Sequence, residues 1–276
     1  MLTPYSNIIS VTTLEALLLD TYSGAAAAYS LRKLRSAYTG NAIRVRRASD
    51  NTEQNIGFVN NVLDTATLAS FCSGTNGFVT TWYDQSGNGR DATQTTAINQ
   101  PQIYDIVGGV IEVNSKPSLL FDGVNDIIST SIISGITNPN THFFVFDKIG
   151  NVGNLGGIFN SASGGGILLL QTGGVVGYQQ GPQFTPIYAN NNQSLVTLKT
   201  STLGTDWEMY GNATTIINSG QNIGTTPGNQ IFLGGRGNIT AFGNTYIQEY
   251  VFYNSNQISN RIGIETNINS FFNIYP

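Results

Sequence analysis

The chain has 276 residues, of which 40% are hydrophobic, so it is long enough to bury a substantial core. Only 10% of its residues are charged, its net charge is -4, and glycine occurs 32 times. A weakly acidic chain lacks the basic field that neutralises phosphates, so we expect no nucleic-acid partner. No segment is apolar over the length that a bilayer requires, so we expect no membrane association.

Cysteine usage and the first residues bear on the cellular setting. The single cysteine, Cys72, excludes an internal disulfide framework, and its apolar surroundings indicate a buried side chain rather than a nucleophile. Residues 1–13 lack the basic and continuously apolar regions of a secretory signal. We therefore expect the protein to be made in a cytoplasm and to leave it, if at all, by another route.

The first part of the chain mixes helical and strand patterns. Leucines and alanines recur at helical spacing and predict helix over residues 14–39, with a break near Ser23. Apolar and basic residues alternate over 42–47, which predicts a strand with Ile43 and Val45 on one face. Asp64 is placed to cap a short helix that runs through residue 71.

From residue 78 onward, short apolar segments alternate with turns rich in glycine and asparagine, which is typical of antiparallel strands. A closing helix is predicted over residues 258–271. No repeat or linker divides the chain, so we expect one domain over 1–276, with an arm at 1–13, a helix-containing region at 14–115, and strands plus the closing helix at 116–276. The predicted strands cover residues 78–83, 118–121, 142–147, 167–171, 194–199, 206–210, 230–233 and 245–253.

Segments within residues 28–50, 82–101 and 116–126 resemble known families, and the second contains Trp82-Tyr-Asp-Gln-Ser-Gly-Asn-Gly. Together they are similar to concanavalin A-like, laminin-G-type jelly-roll modules of bacteriophage structural proteins. The first two also resemble the catalytic domain of fungal family 54 α-L-arabinofuranosidases. The resemblance implies a mainly β fold, a two-sheet antiparallel concanavalin A-like jelly-roll sandwich with N-terminal helices and a C-terminal helix. It also places Glu249 on the closing strand.

A glycosidase requires two carboxyl groups that flank the sugar, one of them with a raised pKa. The resemblance puts the acid/base aspartate in a Gly-Gly-Asp-Asn segment, where this chain has Leu233-Gly-Gly-Arg-Gly-Asn. Arg236 occupies that position, and a guanidinium cannot release its proton near neutral pH. The expected nucleophile also lacks a clear counterpart, because the strand from residue 142 offers only Asp147. We therefore predict no catalysis, with Asp206 and Glu208 as the remaining alternative pair.

The loop after Trp82 offers oxygen ligands in a spacing that partly matches a calcium loop. Thr95 stands where such a loop needs a bidentate glutamate, so we favour a hydrogen-bonded corner and keep calcium as the alternative. Asp122 and Asp126 leave the same two interpretations open. The loop residues that would hold calcium are Asp84, Ser86, Asn88 and Asp91.

Two further groups of side chains are candidates for binding. The basic residues Arg44, Arg46 and Arg47 alternate with apolar ones near Asp50 and Glu53, which favours internal ion pairs over a polyanion site. His142 lies in an aromatic strand and is interpreted as a core or edge residue. Aromatic and amide side chains of the kind that bind sugars suggest a glycan groove, formed by Tyr178, Gln180, Tyr188, Trp207 and Arg236.

These observations lead to one predicted function with two alternatives. We predict a non-catalytic bacteriophage virion surface protein, such as a head fibre, capsid decoration or tail-associated component. It would reside on the virion, contact other virion proteins through residues 1–13, assemble as a homo-oligomer and bind glycans. The alternatives are an α-L-arabinofuranosidase-like glycoside hydrolase and a soluble bacterial glycan-binding module.

Overall fold

A computed structural model of the protein describes residues 16–149, 154–159, 166–170, 192–201, 208–218, 228–235 and 242–276. The helices in this part of the chain are α1 (Leu18–Thr21), α2 (Thr65–Phe71) and α3 (Arg261–Phe272), with a 3-10 turn at Ala97–Asn99. None of the helices in these ranges has the length and hydropathy needed to cross a membrane.

The strands are short and numerous, as the spacing of the turns predicts. In chain order they are β1 (Ala27–Ser30), β2 (Ile43–Arg47), β3 (Glu53–Ile56), β4 (Phe58–Val59), β5 (Val62–Leu63), β6 (Gly77–Trp82), β7 (Ala92–Thr93), β8 (Gln102–Asp105), β9 (Gly109–Val110), β10 (Glu112–Val113), β11 (Lys116–Pro117), β12 (Leu119–Asp122), β13 (Ile128–Ser129), β14 (Thr141–Lys148), β15 (Asn154–Phe159), β16 (Gly166–Leu170), β17 (Gln193–Lys199), β18 (Glu208–Gly211), β19 (Thr214–Asn218), β20 (Gln230–Leu233) and β21 (Asn244–Tyr253).

Most of these strands form one curled antiparallel sheet, so the mainly β prediction is confirmed. One arm of the sheet runs in the order β3, β2, β6, β7, β13, β20, β15 and β16. The other arm runs from β12 through β21, β14, β17 and β18 to β19, and β1 also pairs with β21. Strand β8 joins the two arms, because it pairs with both β6 and β12.

The main hydrophobic core lies between these two arms. Val45 and Leu233 from the first arm belong to the same buried cluster as Phe144 and Phe252 from the second. A second cluster packs α1 and α3 against the opposite face of β14 and β21, and it contains Val251. The aromatic residues of β14 therefore alternate between two buried environments, which explains the nearly continuous apolar run of that strand.

Within the described part of the predicted helix, residues 16–39, only the four residues of α1 are helical, and the prediction is wrong for the others. Residues 27–30 form β1, which is fully buried and pairs with β21 from Ala27↔Phe252 to Ser30↔Glu249. A short strand that is covered on both faces is apolar without a period of two, so its pattern mimics that of a buried helix. The backbone amides of residues 33 and 34 do not form helical hydrogen bonds. The Lys33 amide donates to the Asn61 carbonyl, and the Leu34 amide donates to the Gln85 side chain.

Several other predicted elements are confirmed. The strand at 42–47 appears as β2, and Asp64 caps α2 by accepting a hydrogen bond from the Thr67 amide at 3.0 Å. The closing helix begins at Arg261, three residues later than predicted, and ends where Asn273 adopts a left-handed conformation. The chain's many turns with positive φ at asparagine and glycine are consistent with its composition.

Candidate functional site

The loop that follows Trp82 is a hydrogen-bonded corner centred on Asp84. The buried Asp84 carboxylate accepts hydrogen bonds from the backbone amides of Ala28, Ser86 and Arg90 at 2.8–3.0 Å, and from the Ser86 hydroxyl at 2.7 Å. Asp91 accepts a further bond from the Asp84 amide at 2.9 Å. Two carboxylates thus satisfy the backbone of a tight turn and join it to β1.

The neighbouring side chains extend this attachment. Gln85 is fully buried, donates to the carbonyls of Ser30 and Arg32 at 3.0 Å, and accepts from the Leu34 amide at 2.8 Å. Asn88 donates to the backbone carbonyls of residues 25 and 26. The Tyr-Asp-Gln-Ser-Gly-Asn-Gly motif therefore holds β1 and the chain on either side of it in place through side-chain hydrogen bonds to the backbone.

These contacts bear on the calcium alternative. Both oxygens of Asp84 already accept two hydrogen bonds each, and the Ser86 hydroxyl donates to Asp84. Among the described residues, no group of three or more histidine, cysteine, aspartate or glutamate side chains is placed to hold a metal ion. The geometry favours the predicted corner, and calcium binding at Asp84, Ser86, Asn88 and Asp91 stays an untested alternative.

Cys72 and His142 have structural roles, as their surroundings in the sequence predict. Cys72 is buried, and this burial raises the pKa of its thiol to about 11. His142 is buried between Tyr250, whose hydroxyl lies 2.7 Å from Nδ1, and Asn140, whose Oδ1 lies 2.8 Å from Nε2. Burial lowers the pKa of His142 to about 3, so the imidazole is neutral at physiological pH.

Most basic residues between Arg32 and Arg47 have intramolecular partners, as the sequence predicts. Arg44 pairs with Glu53, and Arg47 pairs with Asp50. Arg46 is buried and donates instead to Gln100 and Asn51, so its partner is an amide rather than a carboxylate. We find no polyanion site among these three arginines because their charged groups are already engaged.

Several strand ends meet at one edge of the sheet, which we call the strand-end rim (residues 122–128, 147–149, 233–235 and 242–244). Ile128 pairs with Leu233, and the Gly243 amide donates to the Gly234 carbonyl at 2.8 Å. Asp122 pairs with Asn244, whose carbonyl accepts from the Ile149 amide. The rim thus places the loop between β12 and β13 beside the end of β20, just before Arg236.

Asp126 is the buried carboxyl of this rim. It is 6% exposed, and one of its oxygens accepts a hydrogen bond from the Asp122 amide at 3.0 Å. Burial raises the pKa of Asp126 to about 7. The hydrogen bond from the Asp122 amide opposes this increase, and the nearby Asp122 carboxylate adds a smaller increase. Asp122 itself accepts from the amides of Val124 and Asn125, so the predicted turn role of both aspartates is present. A carboxyl group with this pKa can carry a proton at neutral pH.

Asp147 is the second perturbed carboxyl of the rim. Burial raises its pKa to about 6, opposed by the backbone amide of Lys148. Its buried Oδ1 has no hydrogen-bond partner among the described residues. Sequence reasoning noted Asp147 as the only acid of its strand, but it could not anticipate the burial of Asp126, which is decided by the fold.

The remaining predicted site residues divide into two groups. Glu208 pairs with Lys199 at 2.8 Å and accepts from the Tyr210 hydroxyl, and these contacts hold its pKa below the ordinary value against the opposing effect of burial. A carboxylate with a lowered pKa does not suit a general acid. The other candidates lie outside the described residues, namely Tyr178, Gln180, Tyr188, Asp206, Trp207 and Arg236, as does the proposed arm at 1–13.

Comparison with known proteins shows similarity to arabinofuranosidases over part of the chain. A family model described as "Alpha-L-arabinofuranosidase B, catalytic" matches residues 20–112. Alpha-L-arabinofuranosidase B of Emericella nidulans is 39% identical over 92 residues, which are 31% of this chain and 18% of that protein. A probable alpha-L-arabinofuranosidase B of Aspergillus terreus is 44% identical over 71 residues, 25% of this chain and 14% of that protein. The matches span less than a fifth of these relatives.

Solved structures extend the similarity to nearly the whole fold. An arabinofuranosidase complexed with arabinofuranosyl-alpha-1,2-xylobiose has a TM-score of 0.68 at 18% identity, covering 91% of this chain and 64% of that chain. A GH54 α-L-arabinofuranosidase soaked with a cyclic sulfate inhibitor has a TM-score of 0.66 with the same identity and coverage. At this identity the likeness shows a shared fold.

These findings correct the predicted identity and function. The resemblance to bacteriophage structural proteins is wrong, because the matching family model, the curated relatives and these structures are arabinofuranosidases. The prediction of a non-catalytic virion surface protein, and with it the virion location, is wrong for the same reason. The findings favour the alternative that named an arabinofuranosidase-like glycoside hydrolase.

Proposed function

We propose that the chain is a glycoside hydrolase module that cleaves terminal α-L-arabinofuranosides. The observation that carries the proposal is the combined match: an arabinofuranosidase catalytic model covers residues 20–112, and arabinofuranosidase structures share the fold over 91% of the chain. The motif in the matched region builds the corner around Asp84 and supports the fold rather than the chemistry. The chemistry must therefore come from other side chains.

Asp126 is our candidate for the general acid. Hydrolysis of a glycoside needs a carboxyl group that is still protonated when it meets the leaving oxygen. The pKa of about 7 gives Asp126 this property at neutral pH. Its loop adjoins the turn at Gly234 that leads into Arg236, the position where the family resemblance expects the acid, and Arg236 itself cannot supply a proton.

A second carboxyl group must act as nucleophile or base. Asp122, in the same loop, is the nearest candidate along the chain, and it is exposed. Asp147 is the rival, because it lies on the same rim and has a raised pKa. We assign the role to Asp122 because its loop already contains the proposed acid.

We also propose that the curled sheet is a concanavalin A-like jelly-roll sandwich. The support is the main core, in which residues of both arms share one buried cluster, and the coverage of the arabinofuranosidase fold. An experimental structure that separated the two arms would contradict this architecture. Glycan binding, self-association and the absence of nucleic-acid binding stay predictions.

Hydrolysis of 4-nitrophenyl α-L-arabinofuranoside tests the proposed activity. We expect turnover by the wild type. Because 4-nitrophenolate can leave without a proton, the role of the acid is measured on arabinofuranosyl-α-1,2-xylobiose, whose departing sugar oxygen must be protonated. On that substrate kcat of Asp126→Asn should fall by about 10²–10⁴, because the amide cannot donate the proton. Asp147→Asn serves as the matched variant, since it neutralises another carboxyl of the rim whose pKa is raised. The proposal fails if the wild type releases no 4-nitrophenol above the rate in buffer.

The pattern among variants tests the assignments separately. A large loss in Asp147→Asn with full activity in Asp126→Asn would overturn the role of Asp126. Activity that appears only in Arg236→Asp would show that the acid belongs at position 236 and that Asp126 plays no part. A circular dichroism spectrum of each variant checks that loss of activity does not reflect unfolding.

A further inference from the structure

Lys33 differs from the other basic residues between Arg32 and Arg47. Each of the five arginines in this segment makes at least one hydrogen bond or ion pair through its guanidinium. The Lys33 ammonium has no such partner in the part of the chain that the structure describes, although its backbone amide donates to the Asn61 carbonyl at 2.8 Å. Lys33 is only partly buried, so its charge is available to a ligand.

Two adjoining cavities meet at this lysine. One has a volume of about 180 Å³ and extends from Lys33 toward Asn267 and Phe271 of α3. The other has a volume of about 340 Å³ and extends toward Tyr38 and Asn41. Both are lined by Lys33, Asn60 and Asn61, so together they form one groove, which we call the Lys33 groove.

Three asparagine amides in the lining of the Lys33 groove are available for a ligand. Neither cavity has an aspartate or glutamate in its lining. No hydrogen bond to the side-chain amides of Asn41, Asn60 or Asn61 is present among the described residues, which leaves their donors and acceptors for solvent or a ligand. The amide of Asn88, by contrast, donates to the backbone.

The groove also has an ordered aromatic side. The Tyr38 hydroxyl donates to the Asn41 carbonyl at 2.8 Å, and the Tyr38 ring lies edge-on to Phe58 with the centroids 6.4 Å apart. Gly40 permits this arrangement, because a Cβ there would lie 2.5 Å from the Tyr38 hydroxyl. Asn60 and Asn61 form the turn between β4 and β5 with positive φ values of 51° and 64°, which fixes the direction of both side chains.

From this arrangement we infer that the Lys33 groove binds an oligosaccharide that carries a carboxylate, that is, a uronic-acid-containing glycan. Aromatic rings cover the C–H faces of a sugar, and free amides hydrogen-bond its hydroxyls. The Lys33 ammonium, in a lining without acids, supplies the partner for a carboxylate. The groove shares no residue with the strand-end rim, so binding here does not depend on the proposed hydrolysis.

Isothermal titration calorimetry with trigalacturonic acid tests the inference, and its methyl ester is the matched neutral ligand. We expect binding of the acid, and affinity at least tenfold lower for the ester, because esterification removes the charge that pairs with Lys33. Affinity for the acid should fall as salt is raised. Equal affinities for acid and ester would overturn the inference.

Variants assign the binding to this groove. Lys33→Gln should weaken binding of trigalacturonic acid about tenfold, whereas Arg44→Gln, which changes the net charge equally at an exposed site paired with Glu53, should leave it unchanged. Asn60→Gly and Asn61→Gly retain the positive φ and remove only the amide, so each should weaken binding several-fold. An equal loss in Lys33→Gln and Arg44→Gln would mean a diffuse charge effect and would overturn the assignment.

The same variants distinguish a failure of the binding inference from a failure of the proposed hydrolase function. Asp126→Asn, which should lose hydrolysis, should retain full affinity for trigalacturonic acid. Lys33→Gln should in turn hydrolyse the chromogenic arabinofuranoside at the wild-type rate, because that small substrate has no carboxylate. Loss of trigalacturonate binding in Asp126→Asn would place the ligand at the rim and overturn the assignment to the groove.

Discussion

Arg32 and Glu249 are 217 positions apart in the sequence and form a two-point ion pair inside the protein. Arg32 Nε and Nη2 donate to the two carboxylate oxygens of Glu249 at 2.7 and 2.9 Å, and their side chains are 7% and 1% exposed. Ser30 donates its hydroxyl to the same carboxylate, and Arg32 also donates to Asn267 of α3. The pair therefore joins the chain after β1, the closing strand and the closing helix.

Breaking this ion pair should destabilise the protein strongly. Glu249→Ala leaves the Arg32 guanidinium buried without a counter-charge, and we expect the free energy of unfolding to fall by about 3–5 kcal/mol. Urea denaturation followed by circular dichroism measures the change. Glu53→Ala removes the partner of exposed Arg44 and should cost at most about 1 kcal/mol. Similar losses in the two variants would contradict the role assigned to burial.

The corner at Asp84 yields a prediction that also decides the calcium question. Asp84→Ala leaves several backbone amides without an acceptor and should lower the free energy of unfolding by at least about 2 kcal/mol. If the loop is only a corner, millimolar CaCl₂ should not change the Tm of the wild type relative to MgCl₂. A calcium-specific rise in Tm that is absent from Asp91→Asn would instead favour a calcium site.

The raised pKa of Asp126 predicts how stability changes with pH. The folded state holds the proton up to a pH of about 7, whereas an unfolded aspartate loses it near its ordinary pKa of 3.8. Folding therefore binds a proton between these values, and the contribution of Asp126 to stability declines as the pH rises through this window. The decline should amount to about 4 kcal/mol, because each pKa unit corresponds to about 1.36 kcal/mol.

Denaturation of Asp126→Asn between pH 4 and 8 measures this contribution. The decline should be absent from this variant, because asparagine does not titrate. Asp105 is the control with the opposite sign: backbone amides of Gly108 and Val107 hold its pKa below the ordinary value, so its contribution is lost as the pH falls. Asp105→Asn should therefore change the pH dependence of the free energy of unfolding only at acidic pH. If Asp126→Asn shows the same decline in stability toward neutral pH as the wild type, the raised pKa assigned to Asp126 is refuted.

Gly234 supports the strand-end rim through its lack of a side chain. Its φ is +81°, and a Cβ there would lie 1.9 Å from Cδ1 of Phe121. Gly234→Ala should lower the free energy of unfolding by at least about 2 kcal/mol, because it adds backbone strain to a collision in the core. Gly89→Ala is the control, with φ +65° but open space around the site, and it should cost about 1 kcal/mol. Equal losses would show that backbone strain alone decides the effect.

The sequence by itself determined those elements that short-range patterns specify, such as strand alternation, helix capping and hydrogen-bonded turns. Alternation predicted β2, the position of Asp64 predicted the start of α2, and the polar residues around Asp84 predicted a corner. Each of these features has a local signature, either polar residues that bond to nearby backbone amides or the period of a single strand, although the Asp84 corner is also anchored to the distant Ala28. The same local reasoning failed for β1, because a strand covered on both faces has no alternation to reveal it.

Tertiary structure alone decided the properties of the candidate sites. Asp126 and Asp122 look alike in the sequence, but the fold buries Asp126 and leaves Asp122 exposed, and this burial raises the pKa of Asp126. Lys33 likewise stands among five other basic residues, and only the positions of their partners leave its charge free for a ligand. Burial and pairing depend on residues far apart in the chain, so the titration and availability of these groups follow from the fold and not from the local sequence.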